Sequence, residues 1–411
     1  MTKKDILELR KRLNKKGCTF TRMRGCYVDS QKNIVLHINE TFLSLEEEEF
    51  YKYLEIAKKV LSGTEGNNLL ELPFLRNEDG EESQKFFLAM RDSGLEDDGL
   101  LDLFYERVIE SYEHEGNYLI LLFHDAYDIP LKTKDNMGLD ESTEVYTYFL
   151  CAVCPMELSK AGLGYRQEEH RIGVRIRDWV VHPPASGFVF PAFTDRSTDI
   201  HSLMYYTRDP KKPHEDFMEE MLGCQPKKTA VQEKKAFQQI LEEALPAEVE
   251  DTEGMILDIQ QNLSNMVDEH KTVFENEPVF LDGTAIHEIL TDEGLSTEVA
   301  EQVEQTCTEV FGDTMPLAES LISQKELEAR AKVKKEEALQ LELLSLKDEL
   351  AEQKEAAKER EGAAAHGSII LNVDEEKADA IKTEIIDGQK YILIPVSGEE
   401  RTTINGEEAS F

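Results

Sequence analysis

Nowhere in the 411 residues do about 20 apolar residues follow one another, so no segment reads as a membrane-spanning helix. The lysines near the start are not followed by an apolar core, and the expectation is that they are not a secretory signal. Cysteine is scarce. Six residues, at 18, 26, 151, 154, 224 and 307, are too few and too scattered for a disulfide scaffold, which points to a reducing, cytoplasmic setting. Motifs of known chemistry are missing as well: there is no Walker A loop, no HExxH and no nucleophile elbow. Positive charge is in short supply, with 46 Lys and Arg against 84 Asp and Glu and a net charge of −38. Such a surface, taken as a whole, repels phosphate backbones.

The exception is the opening. The first 24 residues hold nine Lys and Arg and two acids, a net of +7, so the remainder carries −45. Three readings compete for this segment: a solvated charged helix, a clamp onto the chain's own acidic parts or a second copy, and a contact with nucleic acid. In the last reading Arg22 and Arg24, alternating on one strand face, would take a phosphate-like anion, with Phe20 and Tyr27 for stacking. The charge is also uneven along the chain, −11 over residues 1–209 and −27 over 210–411. The second half is poor in aromatics, which places the α/β body in the first half.

Periodicity predicts helices over 3–14, 82–92 and 98–114. Another starts at Ser44, where Glu47 three residues on would complete a capping box, and presents Phe50, Leu54, Ala57 and Leu61 on one face. Strands are predicted at 26–28 and 34–38 as a hairpin, and at 118–123, 145–153, 172–181, 187–193 and 200–206, the last half-buried by its alternation. A loop is expected at 130–143. After Pro213 helices are expected at 214–222, 228–244, 252–274, 284–292 and 297–311, the last capped by Ser296. A charged helix at 317–361 carries Leu339, Leu343, Leu346 and Leu350 in 4-3-4 spacing, under two heptads. Gly362–Gly367 reads as a linker and 369–373 as a strand. A hairpin at 384–394 turns at Asp387-Gly388, and Asn405-Gly406 marks a further turn. The expected fold is α+β, with a mixed or antiparallel sheet and helices over 1–225, a helical region over 226–315, the charged helix over 316–361 and a small β-rich unit over 368–411.

The stretches TRMRGCYVD (21–29), INETFLSLEEEEFYKYLEIAKKVLSG (38–63), CPMELSKAGLGY (154–165), GFVFPAFTDRSTDIHSLMYYTRD (187–209) and EIIDGQKYILI (384–394) form a set. Together they resemble a Firmicutes family known as domain of unknown function 4317, along nearly the whole chain. The resemblance implies a bacterial cytoplasmic protein and carries over neither a reaction nor a site residue.

Two constellations could hold chemistry. His124, Asp125 and Asp128 follow the 118–123 strand, and Asp195, Arg196, Asp199 and His201 sit in a turn entering another. Together they resemble the oxygen and imidazole set of a metal-dependent hydrolase. The bland reading is that such Asp and Arg residues cap turns or pair with each other. Cys151-Ala-Val-Cys154 ends an apolar strand, where positions three apart face opposite ways, so shared metal or redox chemistry is not expected. Trp179 is read as core. The first-ranked function is a non-catalytic interaction or scaffold protein that self-associates through its helical half, with no metal, no cofactor and no membrane contact. A nucleic-acid-associated protein and a metal-dependent hydrolase follow it.

Overall fold

A computed structural model of the chain describes residues 1–132, 138–245, 251–273, 279–312, 315–364, 379–395, 402–404 and 407–409. Two compact units are present, Met1–Leu327 and Glu328–Phe411.

The first unit opens with α1 (Lys3–Arg12), closed by a capping box between Thr2 and Asp5. The strands β1 (Arg22–Val28) and β2 (Ile34–Glu40) form the expected hairpin, and Asp29 accepts the Gln31 and Asn33 amides at its turn. Next come α2 (Glu47–Val60), β3 (Leu69–Pro73), α3 (Glu78–Asp92), α4 (Asp98–Ser111), β4 (Asn117–Lys132) and β5 (Gly138–Leu158). Then follow β6 (Leu163–Arg166), β7 (Arg171–Val174), β8 (Trp179–Val181), β9 (Ser186–Phe190), β10 (Ala192–Thr194), β11 (Ser197–Asp199) and β12 (Ser202–Thr207). The main sheet is antiparallel in the order β2-β1-β4-β5-β9-β12-β3, with β8 added to β5.

Helices cover both faces of this sheet, which explains its near-continuous apolar strands. Ile120 and Leu122 of β4 face one core with Phe87, Phe104 and Phe188; Leu119, Leu121 and Phe123 face the other, with Leu9, Phe42 and Leu54. Cys151 and Cys154 fall in these two opposite cores, as strand alternation requires. Burial pushes the Cys154 thiol up to about 12 and that of Cys151 well above its ordinary value. Neither is a reactive thiolate.

Several local expectations change. Ser44 ends a 3-10 turn, Phe42–Ser44, and α2 begins after Glu46 without a side-chain cap. Phe42 is the cause: fully buried against Phe20, Phe50 and Phe123, it draws the chain into the core before the helix starts. Helix α1 stops at Arg12, short of the expected residue 14, with Leu13 as its C-cap donating its amide to the Arg10 carbonyl. The strand expected at 200–206 is β12, Ser202–Thr207, and it is buried along its whole length rather than half-buried, because it lies between β9 and β3 with helices on both sides. Periodicity gave no sign of β3, whose pairing with β12 supplies the reason for it. The expected loop at 130–143 is partly ladder, since Pro130 pairs with Ser142 and Lys132 with Gly138; residues 133–137 lie outside the described residues. The single strand expected at 172–181 is two strands with different partners, β7 on β6 and β8 on β5, and Trp179 is 47% exposed rather than core.

Beyond a short π-helical turn, Phe217–Met221, the chain is helical: α5 (Ala230–Ala244), α6 (Thr252–Val273), α7 (Gly283–Asp292), α8 (Thr297–Phe311) and α9 (Ala318–Leu321). Ser296 caps α8 as expected. These helices have a core of their own, with Phe237, Leu241, Ile259, Leu263, Leu290, Val303 and Leu321. Ser323, whose amide donates to the buried Gln260, separates α9 from the long α10 (Gln324–Ala364).

In the second unit α10 runs on through Gly362, and 365–367 and 369–373 lie outside the described residues. The hairpin β13 (Lys382–Ile386) and β14 (Gln389–Leu393) turns at Asp387-Gly388, both at positive φ as a type I′ turn demands. A second pair, β15 (Thr402–Ile404) and β16 (Glu407–Ala409), is antiparallel, and the turn between them at Asn405-Gly406 lies outside the described residues.

Candidate functional site

The basic N-terminal helix is built into the body. Ile6 and Leu9 on one stripe of α1 are buried with Leu13, and the adjacent Glu8 and Arg12, four residues apart, carry charge inward beside them. Arg12 Nη1 donates to Asp125 Oδ2 at 3.1 Å. Asp125, 1% exposed, also accepts from Thr19 Oγ1 at 2.6 Å and from the Tyr148 hydroxyl at 2.8 Å. The Arg12 guanidinium lies 3.7 Å from the centroid of the Tyr127 ring. The Tyr127 hydroxyl donates to Glu8 at 2.8 Å, and Arg196 Nε donates to both Glu8 oxygens at 3.2 and 3.1 Å. Burial and the Glu8 carboxylate together push the Tyr127 phenol up to about 12.

Asp125 and Arg196 are thus joined, but through α1 rather than through a shared ligand. Arg196 reaches the network from a two-residue turn, Asp195-Arg196, in which both residues have positive φ between β10 and β11. Its Nη2 also donates to the Pro130 carbonyl at 2.8 Å.

Strand alternation separates the rest. Asp125, Tyr127 and Ile129 face inward on β4, whereas Asp128 is exposed on the other face. His124, next to Asp125 but turned the opposite way, is in contact with the Thr21 hydroxyl at 3.0 Å. Asp195 is exposed. Asp199 is occupied by its own turn, accepting from the His201 amide at 3.0 Å and from Ser202 Oγ at 2.6 Å. His201 contacts Gln84 at 3.2 Å. Among the described residues no group of three or more His, Cys, Asp or Glu is arranged to hold a metal ion.

Arg22 and Arg24 share one face of β1 with Cys26 and Val28. Arg22 Nη2 donates to Glu96 at 2.6 Å; the buried Arg24 donates from Nε to the Leu95 carbonyl at 3.1 Å and pairs with Asp98 at 3.2 Å. Both guanidiniums are met by carboxylates at the start of α4, Glu96 just before it and Asp98 at its first residue. The exposed Lys15 pairs with Glu47.

Sequence reasoning missed two features. One is the role of Glu8, Arg12, Thr19 and Tyr148 around Asp125; the sign of it was the Glu8/Arg12 pair beside an apolar stripe. The other is a cleft of about 500 Å³ between α3 and the π-helical turn, lined by Asp79, Glu82, Asp216, Glu219 and Glu220 together with Arg107, which pairs with Glu82 at 3.8 Å. Five carboxylates to one guanidinium make it unfavourable for anions.

Comparison with known proteins adds a single finding, a family match over residues 1–407. The chain belongs to the family described as domain of unknown function, DUF4317. No curated protein and no solved structure matches this family member. Among the described residues no helix is long and apolar enough to cross a membrane.

Burial lowers the pKa of both His124 and His214 below the ordinary 6.5. The unfolded chain takes up protons as pH falls through 6.5, while these folded imidazoles resist until a lower pH. Stability contributed by the neutral rings is therefore present above that value and lost below it. The melting temperature should fall between pH 7.5 and 5.5, with a shallower slope in His124→Gln. An equal slope in the variant would remove His124 from this account.

Proposed function

We propose that this family member is a non-catalytic intracellular interaction or scaffold protein, bacterial and cytoplasmic, working without metal or cofactor through protein partners. The body over 1–225 and the helical region over 226–315 then serve as the rigid frame that presents binding surfaces, and 316–361 and 368–411 as extensions of it.

The observation that carries this reading is the β6–β7 ribbon. Its register pairs Leu163 with Val174 and Tyr165 with Ile172, so four apolar side chains stand on one face, each 62–76% exposed. Gly164 pairs with Gly173 on the opposite face. Ile176 and Trp179, further along the same segment, are also exposed, at 75% and 47%. A two-stranded ribbon with its apolar face in water is marginal by itself, and contiguous exposed apolar surface marks interaction sites. Residues 158–181 carry five basic and three acidic side chains within a chain of −38. The partner that fits is a protein surface with an apolar centre and an acidic rim. Further support comes from the engaged state of the candidate catalytic groups: Asp125 is held by three donors and Asp199 by its own turn. Arg22 and Arg24, met by Glu96 and Asp98, are poorly placed to take a nucleic-acid phosphate.

The test is affinity purification from the native cell, with metals and nucleic acid measured in the same sample, followed by direct binding of the purified partner. Tyr165→Ser/Ile172→Ser should weaken that binding by about tenfold or more at unchanged melting temperature. A stoichiometric metal and a hydrolytic activity, both lost in Asp199→Ala without loss of fold, would overturn the reading in favour of a hydrolase. Tight nucleic-acid binding abolished by Arg22→Ala/Arg24→Ala would overturn it in favour of the nucleic-acid reading.

A further inference from the structure

We infer that α10 pairs in parallel and in register with α10 of a second copy of this chain, through the seam Leu339, Leu343, Leu346 and Leu350. This rests on the interaction reading above but uses a different surface, so the two can fail separately.

The four leucines are 51–55% exposed on a helix that, over its whole length, has no single apolar face. Their 4-3-4 spacing assigns them to positions d, a, d and a of a heptad. That assignment fixes the flanking positions. Glu342 and Glu349 fall at g, and Lys347 and Lys354 at e. All four are exposed. In a parallel pair, a g residue faces the e residue five positions further along the other helix. Glu342 then faces Lys347 of the second copy, and Glu349 faces Lys354 of the second copy. Two-fold symmetry doubles both contacts. An antiparallel pair places g against g and e against e, so Glu would oppose Glu and Lys would oppose Lys. The charges thus select the parallel arrangement, in the way e and g positions commonly do.

A competing seam exists, since Leu341 and Leu344 are also exposed. It is bounded by Glu337 and Asp348 at the next positions of the same spacing, so it offers two leucines where the first offers four. The longer seam ends at Glu336 and Gln353. With under two apolar heptads the pairing is short, and the dimer is expected to depend on concentration rather than to be permanent.

Sedimentation equilibrium on the full chain should show a monomer–dimer equilibrium. Leu343→Asp/Leu350→Asp should weaken it by about thirtyfold or more, because at each of the two positions a pair of buried like charges would face each other across the seam. Each charge variant alone tests the orientation, since an antiparallel pair already opposes like charges and would be no weaker after the swap. Glu342→Lys/Glu349→Lys and Lys347→Glu/Lys354→Glu should each be largely monomeric alone, and mixing the two should restore a heterodimer. A chain that stays monomeric at its highest soluble concentration overturns the inference. So does a dimer unaffected by the leucine substitutions, or failure of the mixture to associate. If instead Tyr165→Ser/Ile172→Ser abolishes the dimer, self-association runs through the ribbon; this inference fails and the interaction reading stands.

Discussion

Asp125→Ala is expected to lower the melting temperature by roughly 10 °C, the largest effect of any polar substitution considered. The carboxylate is 1% exposed and accepts from Arg12, Thr19 and Tyr148. Removing it leaves a guanidinium with 15% side-chain exposure and two hydroxyls without their acceptor. Breaking a buried charge pair from one side costs about 3–5 kcal/mol, since the surviving charge is still desolvated. Exposed pairs on the same segment, Lys15 with Glu47 among them, hold their charges in water and add little. The same argument predicts partial rescue. Removing both charges in Asp125→Leu/Arg12→Met should restore much of the loss, because no uncompensated ion remains. Asp125→Asn, which keeps an acceptor oxygen for one hydroxyl, should lie between. Thermal denaturation of the four proteins at one pH decides the matter. An Asp125→Ala protein with unchanged melting temperature but an altered cellular activity would show that Asp125 acts on a ligand rather than on α1.

Phe87→Ala should destabilise the fold to a similar or greater extent, about 3–5 kcal/mol, through packing alone. Phe87 is fully buried, and its ring lies 5.6 Å from those of Phe188 and Phe190 and 5.7 Å from that of Phe86. Phe74, Phe149 and Phe104 follow at 6.1, 6.1 and 6.4 Å. The ring therefore ties α3 and α4 to β5 and β9. Alanine leaves a void whose walls are themselves rigid aromatic rings, which cannot easily collapse into it. Phe87→Leu, nearer in volume, should cost about 1.5 kcal/mol or less. Urea titrations would separate the two by their midpoints at equal slope. A loss under 1 kcal/mol for Phe87→Ala, on the order of a surface change, would show that the aromatic cluster repacks and that α3 is not anchored through this ring.

What the chain announces locally, and what it does not, divides along a physical line. A helix or a turn depends on residues within one or two turns of each other. So α5, α7 and α8 follow from apolar spacing and caps such as Ser296, and the β13–β14 hairpin from Asp387-Gly388. A strand buried on both faces is also legible, because Tyr118–Phe123 has no polar side to show. Strand alternation alone was enough to predict that Cys151 and Cys154 face different cores, as they do. The remainder depends on partners far away in sequence. Ser44 and Glu47 have the residues of a capping box, but burial of Phe42 decides where the helix begins. Trp179 has the composition of a core residue, yet its strand pairs at the end of β5, where the ring stays 47% exposed. The basic opening allowed three readings as a sequence. Arg12 meets Asp125 across 113 positions, and Arg196 meets Glu8 across 188. No local pattern encodes such distances; they exist only once the fold has set β4 of the main sheet and the separate β10–β11 pair beside α1.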